Sequence, residues 1–185
     1  MGKVYVFLAQ GFEEIEALTV VDLARRAGLN VETVSIYDDK LVVGARKVPV
    51  VADITLVEVD ESVADMLVLP GGAPGWKNLE ACDALMSMVE RFIRAGRRVS
   101  AICAAPSILG RKGFLVGKRA CVYPGMDGDL RGADVTHDSV AVDGNIITSR
   151  GMGTAIDWSL AIIETLINKE TAAKIAESVV YCSGQ

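Results

Sequence analysis

The sequence predicts a doubly wound α/β domain, and three observations carry that reading. Val4-Tyr5-Val6-Phe7-Leu8 is an unbroken apolar run of the kind found in a strand covered on both faces. Val20, Leu23, Ala24 and Ala27 then recur at helical spacing, with Gly28 as a stop before the strand Val31 to Tyr37, which makes a β-α-β unit. The same alternation continues with no linker, repeat or low-complexity stretch. A chain of 185 residues is therefore expected to form one domain over 1–185 around a mostly parallel sheet sandwiched by helices.

The segment from Asp38 to Val57 departs from the pattern. Leu41-Val42-Val43, Gly44 and then Val48 to Val51, interrupted by Pro49, read as a small hairpin at a sheet edge. Alternation returns with strand Met66 to Leu69, the loop Pro70-Gly71-Gly72-Ala73-Pro74-Gly75, and a helix whose Leu85, Met88, Val89 and Phe92 share a face before Gly96. Strand Val99 to Ile102 runs into Cys103-Ala104-Ala105-Pro106, whose proline suits the first turn of a helix through Ile108 and Leu109 to Gly113. A strand from Ala120 to Tyr123 follows, then a hairpin pairing Ser139 to Val142 with Asn145 to Thr148 across Asp143-Gly144. Ile156, Leu160, Ile163 and Ile167 mark a helix that Thr154 and Asp157 would open with a capping box, and Lys169 to Ser178 reads as a last short helix.

Composition removes several function classes. With 19 Lys and Arg against 24 Asp and Glu, the net charge is −5, which disfavours sequence-blind binding to nucleic acid or an anionic membrane. The uncharged stretches Met66 to Trp76 and Val99 to Gly110 are shorter than the roughly 18 residues of a membrane span. Glu13, Glu14 and Glu16 follow the first apolar run at once, so no secretion signal is read and a cytoplasmic protein is expected. Cys82, Cys103, Cys121 and Cys182 form no C-x-x-C pair, which fits free thiols in a reducing compartment. His137 is the one histidine, without partners at metal-ligand spacing, and reads as a surface residue. Arg91, Arg94, Arg97 and Arg98 fit a solvated helix face and its C-terminal end better than a nucleic-acid patch.

In a doubly wound fold the loops at the carboxyl ends of the strands gather in one crevice, which selects Gln10 to Glu16, Pro70 to Gly75 and Cys103 to Pro106. Cys103 stands at a strand-to-helix elbow, where unpaired N–H groups and the helix dipole favour thiolate. An inert core cysteine is the equally available reading of that position. Gly71 and Gly72 could bring backbone N–H groups to a bound oxygen, with the Ala104 amide opposite, as in an oxyanion hole. A tight turn explains the pair as well, and neither G-x-G-x-x-G nor a P-loop is present. Of Glu13, Glu14 and Glu16, one or two serve the helix dipole, while a carboxyl turned toward a thiol would have its pKa raised and could donate a hydrogen bond to sulfur. The spacing does not choose among the three.

Ser100-Ala101-Ile102-Cys103-Ala104-Ala105-Pro106 resembles the cysteine elbow of the ThiJ/PfpI superfamily, in the DJ-1 branch that holds the Parkinsonism-associated deglycase and bacterial ThiJ/YajL-like relatives. Gly11 to Glu16, Val21 to Gly28, Leu69-Pro70-Gly71-Gly72, and Thr148-Ser149-Arg150-Gly151 with Gly153-Thr154 resemble the same family in the same order, over nearly the whole chain. The resemblance implies a flavodoxin-like sandwich and a homodimer. It implies Cys103 as the nucleophilic and oxidisable cysteine, Glu16 as the protonated carboxyl bonded to it, and Gly72 and Ala104 as oxyanion-hole amides. Gly71, Arg26, Arg46 and Tyr123 would line the approach for substrate or anion. Two positions depart from the family. Tyr123-Pro124 stands where relatives place His-Pro, and Ala104 stands where the protease-like branch has a histidine, which removes the base for amide hydrolysis.

The function so implied is addition of the Cys103 thiolate to a small electrophilic aldehyde such as methylglyoxal, with Glu16 moving protons, and no metal, glutathione or other cofactor. The same chemistry on glycated protein or nucleotide would be deglycase activity. The alternative is an oxidative-stress sensor or chaperone whose Cys103 oxidises to sulfinate. Thiamine biosynthesis, implied by an old family label, finds no thiazole-phosphate site in the residues.

Overall fold

The computed structural model describes residues 2–182; Met1 and 183–185 lie outside the described residues. The elements in chain order are β1 Lys3–Leu8, α1 Glu14–Arg26, β2 Asn30–Ser35, β3 Leu41–Val43, β4 Pro49–Val51, β5 Ile54–Thr55, β6 Ala64–Leu69, α2 Gly75–Glu80 and α3 Asp83–Arg94. They continue with β7 Arg98–Ile102, α4 Pro106–Arg111, β8 Arg119–Ala120, β9 Asp134–Val135, β10 Val140–Asp143, β11 Ile146–Ser149, α5 Ala155–Leu166 and α6 Lys169–Ser178. The main sheet has seven strands in the order β10-β11-β7-β6-β1-β2-β5. Each neighbouring pair is parallel except β10 with β11.

The apolar run of β1 is explained by its two covered faces. Val4, Val6 and Leu8 point with Met66 and Val68 into a core closed by α1, α5 and α6, including Val20, Ala24, Trp158 and Ile162. Tyr5 and Phe7 point the other way, with Leu67 and Leu69, against Leu79 of α2, Phe92 of α3 and Ile108 of α4. The fully buried Trp158 satisfies its indole by donating to Ser100 Oγ at 2.7 Å.

Connections leave β1 toward β2 on one side and β6 on the other, so the strand order reverses between β1 and β6. A crevice opens at such a reversal, beyond the carboxyl ends of the strands. The β3–β4 hairpin forms its own antiparallel two-stranded sheet, and β5 supplies the main sheet's edge. Val42 and Val50 anchor the hairpin to the α1 side of the core, and its turn reaches the loop after β1, where Gly11 donates to Val43 O at 2.8 Å and Ala45 to Phe12 O at 2.8 Å.

Several local expectations are corrected. Ala120 to Tyr123 is not a main-sheet strand: only β8 is extended, and it pairs in parallel with β9 in a separate two-stranded sheet. The Cys121 amide bonds Thr148 Oγ1 at 2.9 Å, and the Tyr123 amide bonds Cys103 O at 2.8 Å, so neither is free for a ladder. The Thr154–Asp157 capping box does not form, because Thr154 Oγ1 is engaged by Ser149 Oγ at 2.6 Å and Asp157 accepts the Tyr181 hydroxyl at 2.6 Å. Cys82 stands at the N-cap position of α3 without a side-chain cap, and Cys121 is buried just past β8.

Candidate active site

Three loops meet at the crevice. Glu13 at the N-cap of α1 donates its amide to Gly71 O at 3.0 Å, which ties the loop after β1 to the loop after β6. Glu14 and Glu16 sit two positions apart in the first turn, about 200° around the helix. They therefore reach opposite sides. Glu14 Oε1 accepts the Arg46 amide at 2.7 Å and the Val48 amide at 3.5 Å, which pins the turn of the β3–β4 hairpin. Glu16, 1% exposed, turns into the crevice, where Oε2 accepts the Gly71 amide at 2.8 Å. Glu16 Oε1 is buried and holds no hydrogen-bond partner among the described residues.

Cys103 follows β7 with φ at 63°, the left-handed region that side chains adopt only under constraint. Two backbone bonds hold it there: its amide donates to Ser149 O at 2.9 Å, and its carbonyl accepts the Tyr123 amide at 2.8 Å. Pro106 begins α4 as expected, since its missing N–H would be unpaired in a first turn. The elbow brings the Cys103 thiol beside the Glu16 carboxyl, with Gly71 packed against both and Gly72 and Ala104 lining the same cavity.

The loop after β6 can pass this close only because Gly71 has no side chain. A Cβ there would lie 2.6 Å from Cys103 Cβ and 2.8 Å from Glu16 Oε2. At Gly72, with φ at 92°, a Cβ would meet the Glu13 backbone nitrogen at 2.3 Å. Gly71→Ala should therefore destabilise the protein by about 1–3 kcal/mol through overpacking and slow the modification of Cys103 by iodoacetamide. A thermal melt and an alkylation time course check both effects.

Burial dominates the electrostatics. It raises Glu16 to about 7, against weaker lowering by the Gly71 amide and the Cys103 thiol. Burial also pushes the Cys103 thiol up to about 12, reinforced by the Glu16 carboxylate beside it, while the Ala104 and Gly72 amides pull it down. This is opposite to the lowering expected from a helix N-terminus alone; α4 spans only Pro106–Arg111, too short for its dipole to offset the desolvation. The two groups form a coupled pair: a proton on Glu16 removes the charge that opposes thiolate.

A cavity of about 430 Å³ opens over the pair, lined by Glu13, Glu16, Arg46, Gly72, Cys103, Ala104 and Tyr123, and also by Ala73, Trp76, Met126 and Met152. Seven of the eight residues anticipated from sequence are thus together: Cys103, Glu16, Gly72, Ala104, Arg46 and Tyr123 line the cavity, and Gly71 contacts the pair from beneath. Arg26 is the exception. It lies at the end of α1, paired with Asp22 at 2.8 Å, in a different cavity with Thr19, Ile156 and Ser178. Trp76, Met126 and Met152 were not read as site residues. Trp76 belongs to α2, a helix of six residues too short to show a period. Among the described residues, no group of three or more His, Cys, Asp or Glu could hold a metal ion.

The DJ-1/PfpI family model matches residues 2–165. The chain belongs to the DJ-1/PfpI family. DJ-1 relatives include protein dj-1beta of Drosophila melanogaster, 35% identical over 176 residues covering 94% of each chain. Protein DJ-1 homolog A of Arabidopsis thaliana is 37% identical over 95% of this chain, which matches 45% of that relative; the chain spans less than half the length of the two Arabidopsis homologues. The glutathione-independent glyoxalase DJR-1.2 of Caenorhabditis elegans is 33% identical, covering 85% of this chain and 84% of that one. Among solved structures, oxidized Toxoplasma gondii DJ-1 has a TM-score of 0.94 at 36% identity, covering 99% of this chain and 100% of its own. The likeness to DJ-1 proteins thus extends over nearly the whole chain.

Proposed function

We propose that this DJ-1/PfpI protein converts α-oxoaldehydes to 2-hydroxy acids without glutathione, using Cys103 as nucleophile and Glu16 as the proton carrier. The observation that carries this reading is the closeness of the Cys103 thiol to the buried Glu16 carboxyl around Gly71, where a Cβ would lie 3.1 Å from the sulfur and 2.8 Å from Oε2, beneath an open cavity. A carboxyl with a pKa near pH 7 can both give and take a proton at the operating pH. The C. elegans relative named a glutathione-independent glyoxalase supports the same substrate class.

The steps balance with water alone. Cys103 passes its proton to the Glu16 carboxylate, sulfur bonds to the aldehyde carbon, the carbonyl π pair takes that proton back from Glu16, and a hemithioacetal forms. The Glu16 carboxylate then removes the hydrogen on that carbon and delivers a proton to the neighbouring carbon, while the hemithioacetal hydroxyl gives up its proton and the ketone oxygen takes one, so that the former ketone becomes a hydroxyl and the former aldehyde a thioester. Water cleaves the C–S bond, releasing the hydroxy acid and restoring the thiol. Gly72 and Ala104 line the cavity with Cys103, and their amides would stabilise oxyanions formed beside the sulfur. With Tyr123 in place of an imidazole, acid and base work falls to Glu16. Glycated protein or nucleotide would present the same carbonyl chemistry at the same thiol.

The free thiols of Cys82, Cys103, Cys121 and Cys182 suit a reducing cytoplasm. A homodimer fits the family and the exposed apolar residues Ile15 and Leu18 on α1 and Val48 and Val51 on the hairpin segment. A second reading, in which Cys103 serves as a sensor of oxidants, draws on the half-buried position of the thiol and on the oxidized T. gondii relative.

The test is incubation with methylglyoxal in the absence of glutathione, followed by NMR. Catalytic formation of lactate is the expected result. Stoichiometric oxidation of Cys103 by peroxide with no lactate would replace this reading with the sensor.

A further inference from the structure

The far wall of the cavity is built from larger groups than methylglyoxal needs. Trp76, Met126 and Met152, which carry an indole and two thioethers, line the same cavity as Cys103. Trp76 is braced from outside the cavity by Arg111, the last residue of α4. The Arg111 guanidinium stacks on the indole with its centre 4.8 Å from the ring centroid. Its edge forks onto Glu80, one helical turn beyond Trp76, with Nε to Oε1 at 3.0 Å and Nη2 to Oε2 at 2.7 Å. Nη1 reaches Asp129 at 3.0 Å, and the Asp129 amide donates to Met126 O at 2.9 Å. The same loop touches α4 backbone to backbone, since a Cβ on Gly110 would lie 2.3 Å from Asp129 O.

One cation therefore joins the helix that carries Trp76 to the loop that carries Tyr123 and Met126. Neither Arg111 nor its two carboxylate partners line the cavity. We propose that Trp76, held by Arg111, is the specificity wall of the site, and that the favoured substrates are α-oxoaldehydes whose second substituent is a flat or bulky apolar group. An aryl or branched alkyl group offers the indole and the thioethers more apolar surface to pack against than a methyl does. Arg111 is a positioning residue: it sets the angle of the indole and the gap to Met126 without touching the substrate. This rests on the reading of the cavity as an α-oxoaldehyde site, and its test is chosen to stand apart from turnover.

The test compares alkylation of Cys103 by iodoacetamide and by its N-phenyl analogue, followed at the Cys103 peptide by mass spectrometry. In the wild type the phenyl reagent gains from the wall. In Trp76→Leu and Arg111→Gln the ratio of phenyl to parent rate constants should fall about 3- to 10-fold. Arg111→Lys, which keeps the charge and loses the planar fork, should fall between them and the wild type. An unchanged ratio in Trp76→Leu overturns the wall, and an unchanged ratio in folded Arg111→Gln overturns the role of Arg111. If Arg111→Gln does not fold, Arg111→Lys decides that role on the same ratio. In turnover, Trp76→Leu and Arg111→Gln should raise KM for phenylglyoxal by a larger factor than KM for methylglyoxal. Should the wild type turn over neither aldehyde, the α-oxoaldehyde reading falls, while the alkylation ratio still decides the wall.

Discussion

Glu16→Gln should raise the thermal midpoint at pH 8 and lower methylglyoxal turnover by about 10²- to 10⁴-fold, the usual contribution of a positioned acid or base. The two effects have one source. Burial lifts Glu16 from 4.5 to about 7 in the folded protein. Between those values the folded state keeps a proton that the unfolded chain has released, so stability falls as pH rises across the window and the loss is complete above about 7. The penalty is on the order of 3 kcal/mol, which corresponds to roughly 5–10 °C for a chain of this size. Glutamine keeps an oxygen for the Gly71 amide and has no charge to desolvate. The wild type should therefore approach the variant in stability at pH 5 and fall behind it at pH 8. Calorimetry at the two pH values and a lactate assay on the same samples check both halves. A variant less stable than the wild type at pH 8 would mean that the Glu16 carboxylate is a favourable part of the folded state.

Cys103→Ser should abolish methylglyoxal turnover, by about 10³-fold or more, while leaving the thermal midpoint within a few degrees of wild type. A hydroxyl has nearly the shape of a thiol and fits beside Gly71 and Glu16. It does not ionise near neutral pH, and Glu16 has no imidazole to help it take the proton. Lactate measured by NMR over hours gives the readout. Residual turnover above a few percent would move the nucleophile elsewhere in the cavity.

The sheet was legible in the sequence because burial on both faces leaves a continuous apolar run, as in β1, and helix stops such as Gly28 and Gly96 follow chain-local rules. The Cys103 elbow was legible for a similar reason: an apolar strand, then small residues, then Pro106. Period could not show which of three neighbouring glutamates faces the thiol. That choice depends on helix rotation about the core, which sends Glu14 to the hairpin and Glu16 to the sulfur. The apolar stretch after Arg119 read as a strand because Ala120, Cys121 and Val122 are buried, yet the Cys121 and Tyr123 amides bond a side chain and the elbow rather than a neighbouring strand. Arg26 was tied to the site by resemblance, and its place on α1 carries it to a separate cavity. The wall of Trp76 and Met126 arises from tertiary closure through Arg111, which no local pattern encodes.

The central claim is that Cys103 and Glu16 share protons as one unit, and the pH dependence of Cys103 alkylation in wild type and Glu16→Gln tests it most directly. In the wild type the rate should rise through about pH 7, as the pair loses its first proton, and then level off while one proton moves between carboxyl and sulfur. In Glu16→Gln that rise should vanish and be replaced by a single ionisation of the thiol at higher pH. Superimposable profiles in the two proteins would contradict the account, because the thiol would then titrate without reference to the carboxyl beside it.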